Sequence, residues 1–139
     1  MPLVRISLSK TGPWTGLGRK IGEVVYRAMV DTIQVPVDDN FQVITEHDSE
    51  GLIYDPDYLG VPRTDGFVAI QITLSEGRTV QAKQALFATI AHGLRRELGV
   101  RPEDVFINLV EVKKENWSFG NGVAQYVSPR REAAVSPSA

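Results

Sequence analysis

Apolar and polar residues alternate at the start of the chain. Val4, Ile6 and Leu8 interleave with Leu3, Arg5 and Ser7, which is the period of a half-buried strand. The pattern returns over 67–74, where Val68, Ile70 and Ile72 share one face. Each of these segments is followed by helical spacing. After Thr79, a good N-cap residue, Phe87, Ile90, Ala91, Leu94 and Leu98 form an apolar stripe, and Gly99 stands where a helix stops. The first helix reads less cleanly over 17–33, on Ile21, Val24, Val25, Ala28 and Thr32. Pro36 and Pro102 close the helical regions and start turns into strands at 41–46 and 105–112.

These elements repeat. At one offset of 66 residues, Leu8-Ser9 falls on Leu74-Ser75, Pro36 on Pro102 and Asp38 on Asp104. In the same register Val4 meets Ile70, Ile6 meets Ile72, Ile21 meets Phe87, Val24 meets Ile90 and Val43 meets Leu109. No gap is needed, so a duplicated unit explains the matches best. A strand–helix–strand unit within one sheet makes a right-handed parallel crossover. The expected fold class is therefore α/β (α+β): a duplicated β-α-β unit forming a four-stranded sheet with two helices on one face. The other sheet face keeps apolar residues, which self-association would cover, so a homo-oligomer is expected. The expected organisation is a single domain over 1–127. Its halves are at about 2–47 and 67–112, joined by a linker at 48–66 and followed by an aromatic loop at 113–127. A flexible tail is expected at 128–139.

Composition narrows the function classes. With 139 residues, 42% hydrophobic and 23% charged, the chain has the material for one core. A formal net charge of -2 gives no general attraction to nucleic acid or to an anionic membrane. Cysteine is absent, which removes disulfides and thiolate chemistry. No apolar run approaches the ~18 residues of a membrane span, and Arg5 and Lys10 interrupt any signal-peptide core. The chain reads as cytoplasmic. Its two histidines, His47 and His92, lie in different halves and form no ligand cluster, so neither a metal nor another cofactor is expected.

Among candidate motifs, Gly16-Leu-Gly18-Arg-Lys-Ile-Gly22 is one residue too long for a dinucleotide fingerprint, and no Gly-Lys-Ser/Thr follows it. It reads as a flexible lead-in to the first helix. The repeat separates two neighbouring carboxylates. Asp38 has its counterpart in Asp104, which implies a shared task such as bonding the turn's own amides. Asp39 falls on Val105, so it has no duplicated duty and is the better candidate for chemistry. Trp117-Ser-Phe119-Gly120-Asn-Gly122 lies beyond the second unit. On its residues alone it is either a pocket wall or a plug at an oligomer interface, the plug being the simpler reading. Pro2 becomes a terminal secondary amine once Met1 is removed. Free α-amino groups titrate near about 7.7–8.0, in reach of acid–base work.

Taken together these residues resemble the tautomerase superfamily, closest to the malonate semialdehyde decarboxylases and related bacterial tautomerase-family proteins. The resemblance runs from Pro2 to about Tyr126. It is carried by Pro2-Leu3-Val4, Val35-Pro-Val-Asp-Asp39-Asn-Phe-Gln42 with Glu46-His47, Arg63-Thr-Asp65, Ser75-Glu-Gly-Arg78-Thr79 leading to Lys83, and Asn116-Trp-Ser-Phe-Gly120-Asn-Gly-Val-Ala-Gln125. It implies a homotrimer in which Pro2 is the catalytic acid or base. Asp39 would position Pro2 or a water, Arg78 would bind a substrate carboxylate, and Trp117 and Phe119 would wall the pocket. One position departs: where the decarboxylases carry the first arginine of Arg-x-Arg, this chain has Glu76. An acidic group there weakens attraction for a carboxylate, which ranks proton transfer above decarboxylation. The expected function is keto–enol tautomerisation of a small carboxylate-bearing keto or enol acid. The alternatives are a decarboxylase/hydratase-like activity and a non-catalytic trimeric binding protein.

Overall fold

Four strands and two helices follow in the order β1 (Leu3–Ser9), α1 (Gly18–Ile33), β2 (Phe41–His47), β3 (Val68–Ser75), α2 (Val80–Leu98) and β4 (Val105–Val112). The computed structural model describes residues 2–127. The tail expected to be flexible at 128–139 lies outside the described residues. The sheet order is β2-β1-β3-β4. β1 runs parallel to β2 and β3 parallel to β4, while the central pair β1–β3 is antiparallel. This is a four-stranded sheet built from two β-α-β units. Arg5 faces Gln71 in the central pair, and these two positions are one repeat offset apart. The pseudo-two-fold axis therefore passes between them.

One sheet face carries the core. Val4, Ile6 and Leu8 of β1 and Val68, Ile70, Ile72 and Leu74 of β3 pack there against Ile21, Val24, Val25, Ala28 and Met29 of α1 and Leu86, Ile90 and Leu94 of α2. None is more than 4% exposed. Full burial of an aliphatic side chain stabilises by roughly 1.5–3 kcal/mol, so this layer is the main stabilising feature. The stripe of α2 centres on Leu86 rather than on Phe87, which is only half-buried. The two helices decide this by crossing closely: a Cβ added at Gly93 would lie 2.8 Å from Val24 Cγ1. At the ends of α2, Thr79 accepts the Ala82 N–H at 3.1 Å and Gly99 takes φ 78°.

Two expectations are corrected. Two of the three glycines expected to form a flexible lead-in, Gly18 and Gly22, lie within α1 and are a packing surface. Gly18 and Gly22 are buried, and a Cβ there would come within 2.5 Å of Ile44 Cγ2 and 2.0 Å of Gln42 Oε1 respectively. Without side chains at these positions α1 lies directly on β2, and Gln42 Nε2 donates to the Gly22 carbonyl at 2.8 Å. Asp38 and Asp104 also do not share a task. Asp104 is 1% exposed and accepts the Thr64 N–H at 2.7 Å and the Thr64 hydroxyl at 2.6 Å. It thus ties the linker to the second half, while Asp38 is exposed in its turn. The repeat is symmetric in position but not in role, because these bonds of the linker go to the second turn.

The face away from the helices is open. Phe41 and Val43 of β2 and Phe106 and Val110 of β4 point to it and are 38–53% exposed. Among the described residues no helix is long and apolar enough to cross a membrane.

Candidate active site

Strand register gathers the candidate residues at one end of the sheet. Leu3 pairs with Phe41 and with Thr73, so Pro2, itself buried, lies beside the start of β2 and the finish of β3. Asp39 stands two residues before β2, and the turn carrying Glu76, Gly77 and Arg78 follows β3 directly. β4 ends at the same edge, with Val112 opposite Ser75 and the Glu76 N–H donating to the Val112 carbonyl at 2.9 Å. The segment carrying Trp117 and Phe119 therefore starts there too. His47, paired with Ser9, is at the far end of the sheet, and His92 is exposed on α2.

Arg78 is held by the backbone. Its Nη1 donates to the Ser75 carbonyl at 3.0 Å and its Nη2 to the Ile33 carbonyl at 3.4 Å. A guanidinium fixed at two points keeps its remaining N–H groups aimed in one direction, which suits recognition of a carboxylate. Ser75, 6% exposed, also receives the Trp117 indole N–H on its hydroxyl at 3.1 Å. Trp117 stacks on Phe119 with centroids 5.7 Å apart, and Phe119 meets Tyr126 edge-on at 5.0 Å.

An open cleft of about 380 Å³ lies here, lined by Ser75, Glu76, Gly77, Arg78, Lys114 and Tyr126. Tyr126 is its aromatic residue, with Phe119 and Trp117 in line behind. Asp39 is 8% exposed. Burial raises its carboxyl above the ordinary aspartate value and Asp38 adds to this, while the chain's amino terminus acts in the opposite direction. The Tyr126 phenol is raised by burial and by the charge of Asp39 and is lowered by Arg78. Tyr126 thus stands within the field of both the carboxylate and the guanidinium.

The tautomerase enzyme family matches residues 39–120, from the buried Asp39 to just past Phe119. This chain belongs to the tautomerase superfamily. It is 43% identical to the probable tautomerase YusQ of Bacillus subtilis (strain 168) over 129 residues, 91% of this chain and 99% of that one. Among solved structures it is similar to FG41 malonate semialdehyde decarboxylase inhibited by 3-bromopropiolate, with 37% identity and a TM-score of 0.83 over 92% of this chain and 96% of that one. A second malonate semialdehyde decarboxylase, described with decarboxylase and hydratase activities, is 26% identical with a TM-score of 0.81, over 92% of this chain and 98% of that one.

In this tautomerase-family member three cleft residues escaped the sequence reading of the site. Lys114 sits on a short 3-10 turn after β4 and adds a second cation beside Arg78. Ser75 was legible as part of the repeat and of the resemblance but without a role in the site, and Tyr126 only as the limit of the resemblance. Arg63, quoted with the resemblance, is elsewhere. Its Nη1 donates to the carbonyls of Asp55, Tyr58 and Val61, which orders the linker. Beside it, Tyr54, Phe67 and Phe106 line a mostly apolar groove of about 280 Å³ that continues onto the open sheet face.

Proposed function

We propose that this protein is a tautomerase that moves a proton on a small enol or keto acid through the amine of Pro2, set free by removal of Met1. The reading is supported above all by one arrangement: the end of the sheet that begins with Pro2 also carries the buried Asp39 and the backbone-anchored Arg78. Arg78 holds the substrate carboxylate. The neutral amine of Pro2 takes the enol O–H proton, the double bond shifts, and the protonated amine returns the proton to carbon. Asp39 orients Pro2 or a water. Trp117, Phe119 and Tyr126 keep the surroundings poor in water, which strengthens the charged contacts. The protein works in the cytoplasm as a homotrimer that covers the open sheet face.

A second reading, decarboxylation or hydration, draws support from the 37% identity to a malonate semialdehyde decarboxylase. It uses the same residues with Pro2 protonated at the start, acting first as acid. Glu76 on the cleft wall ranks it second, because a like charge opposes the carboxylate that must be held and twisted.

The deciding experiment is a pH–rate profile of wild type and Pro2→Ala with phenylenolpyruvate, beside the mass of the purified chain. The mass should lack Met1, and kcat/KM of the variant should fall by about 10²-fold or more, the contribution of a positioned acid–base group. Equal rates in the two proteins would remove the proposed chemistry. Faster turnover of malonate semialdehyde than of the enol would promote the second reading.

A further inference from the structure

We propose that Gln125 is a positioning residue for the reaction: its side-chain amide closes the loop after β4 and holds Phe119 and Tyr126 at the separation where their rings meet. The Gln125 Oε1 accepts the Phe119 N–H at 2.9 Å, and its Nε2 donates to the Gly120 carbonyl at 2.8 Å. One planar amide thus satisfies a donor and an acceptor on adjacent residues, as a neighbouring strand would. The loop needs such a clasp. Gly120, Asn121 and Gly122 all take positive φ, at 129°, 60° and 67°, and glycine at two of these three positions leaves the backbone much conformational freedom to lose on ordering. The backbone's own closure of this turn is a long 3.4 Å bond from Val123 to Gly120.

The consequence reaches the cleft because Gln125 is bonded to Phe119 and precedes Tyr126. Tyr126 lines the cleft beside Arg78, and Phe119 backs it at 5.0 Å. If the clasp opens, the aromatic wall loosens and water reaches the charged groups, weakening their contacts. The functional part of this inference rests on the reading of the cleft as the active site.

The test uses Gln125→Ala and the isosteric Gln125→Glu in the full chain, with Trp14→Phe in every protein so that Trp117 is the only indole, and circular dichroism to establish folding. Gln125→Ala should lose roughly tenfold or more in kcat/KM with phenylenolpyruvate, the scale of a small misplacement, and acrylamide should quench Trp117 more readily. Gln125→Glu lacks the donor when ionised and regains it when protonated. Its kcat/KM relative to the parent should therefore recover as pH falls, which a merely structural role would not produce. It also keeps the test open if the alanine variant does not fold. Parental kcat/KM and quenching in a folded Gln125→Ala, or a Gln125→Glu deficit independent of pH, would overturn the proposal. Full activity of Pro2→Ala would overturn the active-site reading instead, and quenching of Trp117 would still decide whether Gln125 holds the loop.

Discussion

The indole N–H of Trp117 donates to the hydroxyl of Ser75 across 42 positions of sequence, at 3.1 Å. The carbonyl of the same serine receives the Arg78 guanidinium. One small buried residue thus couples the aromatic loop to the cation of the cleft, and its two bonds come from different polar atoms.

Ser75→Ala separates those two roles, since it removes the hydroxyl and leaves the carbonyl. A typical intramolecular hydrogen bond contributes about 1 kcal/mol, so urea unfolding should show a loss of that order. Tryptophan emission should move to the red as the Trp117 indole meets water. Ser75→Thr keeps an acceptor and should behave as wild type.

Asp39 sets a pH dependence of stability. Burial raises its carboxyl above the ordinary value, so the native state holds that proton more tightly than the unfolded chain does. The associated stability is present below the ordinary aspartate value and is lost as pH rises through the raised one. Asp39→Asn should therefore gain stability relative to wild type toward neutral pH, and the gain should vanish in acid. Denaturant midpoints across pH check this, and a gain that grew toward acid pH would contradict burial as the cause.

Asp104 carries stability rather than chemistry. It lies before β4, at the end of the sheet away from Val112, and bonds Thr64 twice. Asp104→Ala removes two hydrogen bonds made to a buried carboxylate and should cost about 1.5–3 kcal/mol. Activity per folded molecule should stay near wild type, as measured by urea titration beside an active-site assay.

The open sheet face gives a test of assembly. Phe106 is 49% exposed beside Ala69. A buried charge in an interface is strongly unfavourable, so Phe106→Glu should shift the protein to a smaller species by light scattering. A charge placed on α2 by His92→Glu should leave the assembly intact.

Much of this protein was legible along the chain because its strongest signals are local and periodic. The alternation of Val4, Ile6 and Leu8 specified a strand, Thr79 and Gly99 bounded a helix, and the offset that maps Leu8-Ser9 onto Leu74-Ser75 is also the offset across the central Arg5–Gln71 pair. Asp39, Arg78 and the Trp117 loop could be singled out by asymmetry between the halves and by resemblance to a family.

Residue spacing did not report which groups share a cleft. Nothing in the sequence set Lys114 beside Arg78, turned Asp104 toward Thr64, or made Gln125 a clasp on Phe119. Periodicity records how a segment meets the core, because burial acts on every turn of a helix or every second residue of a strand. A single hydrogen bond depends on one distance and one angle, and only the folded course of the backbone, within a loop or between elements, determines those.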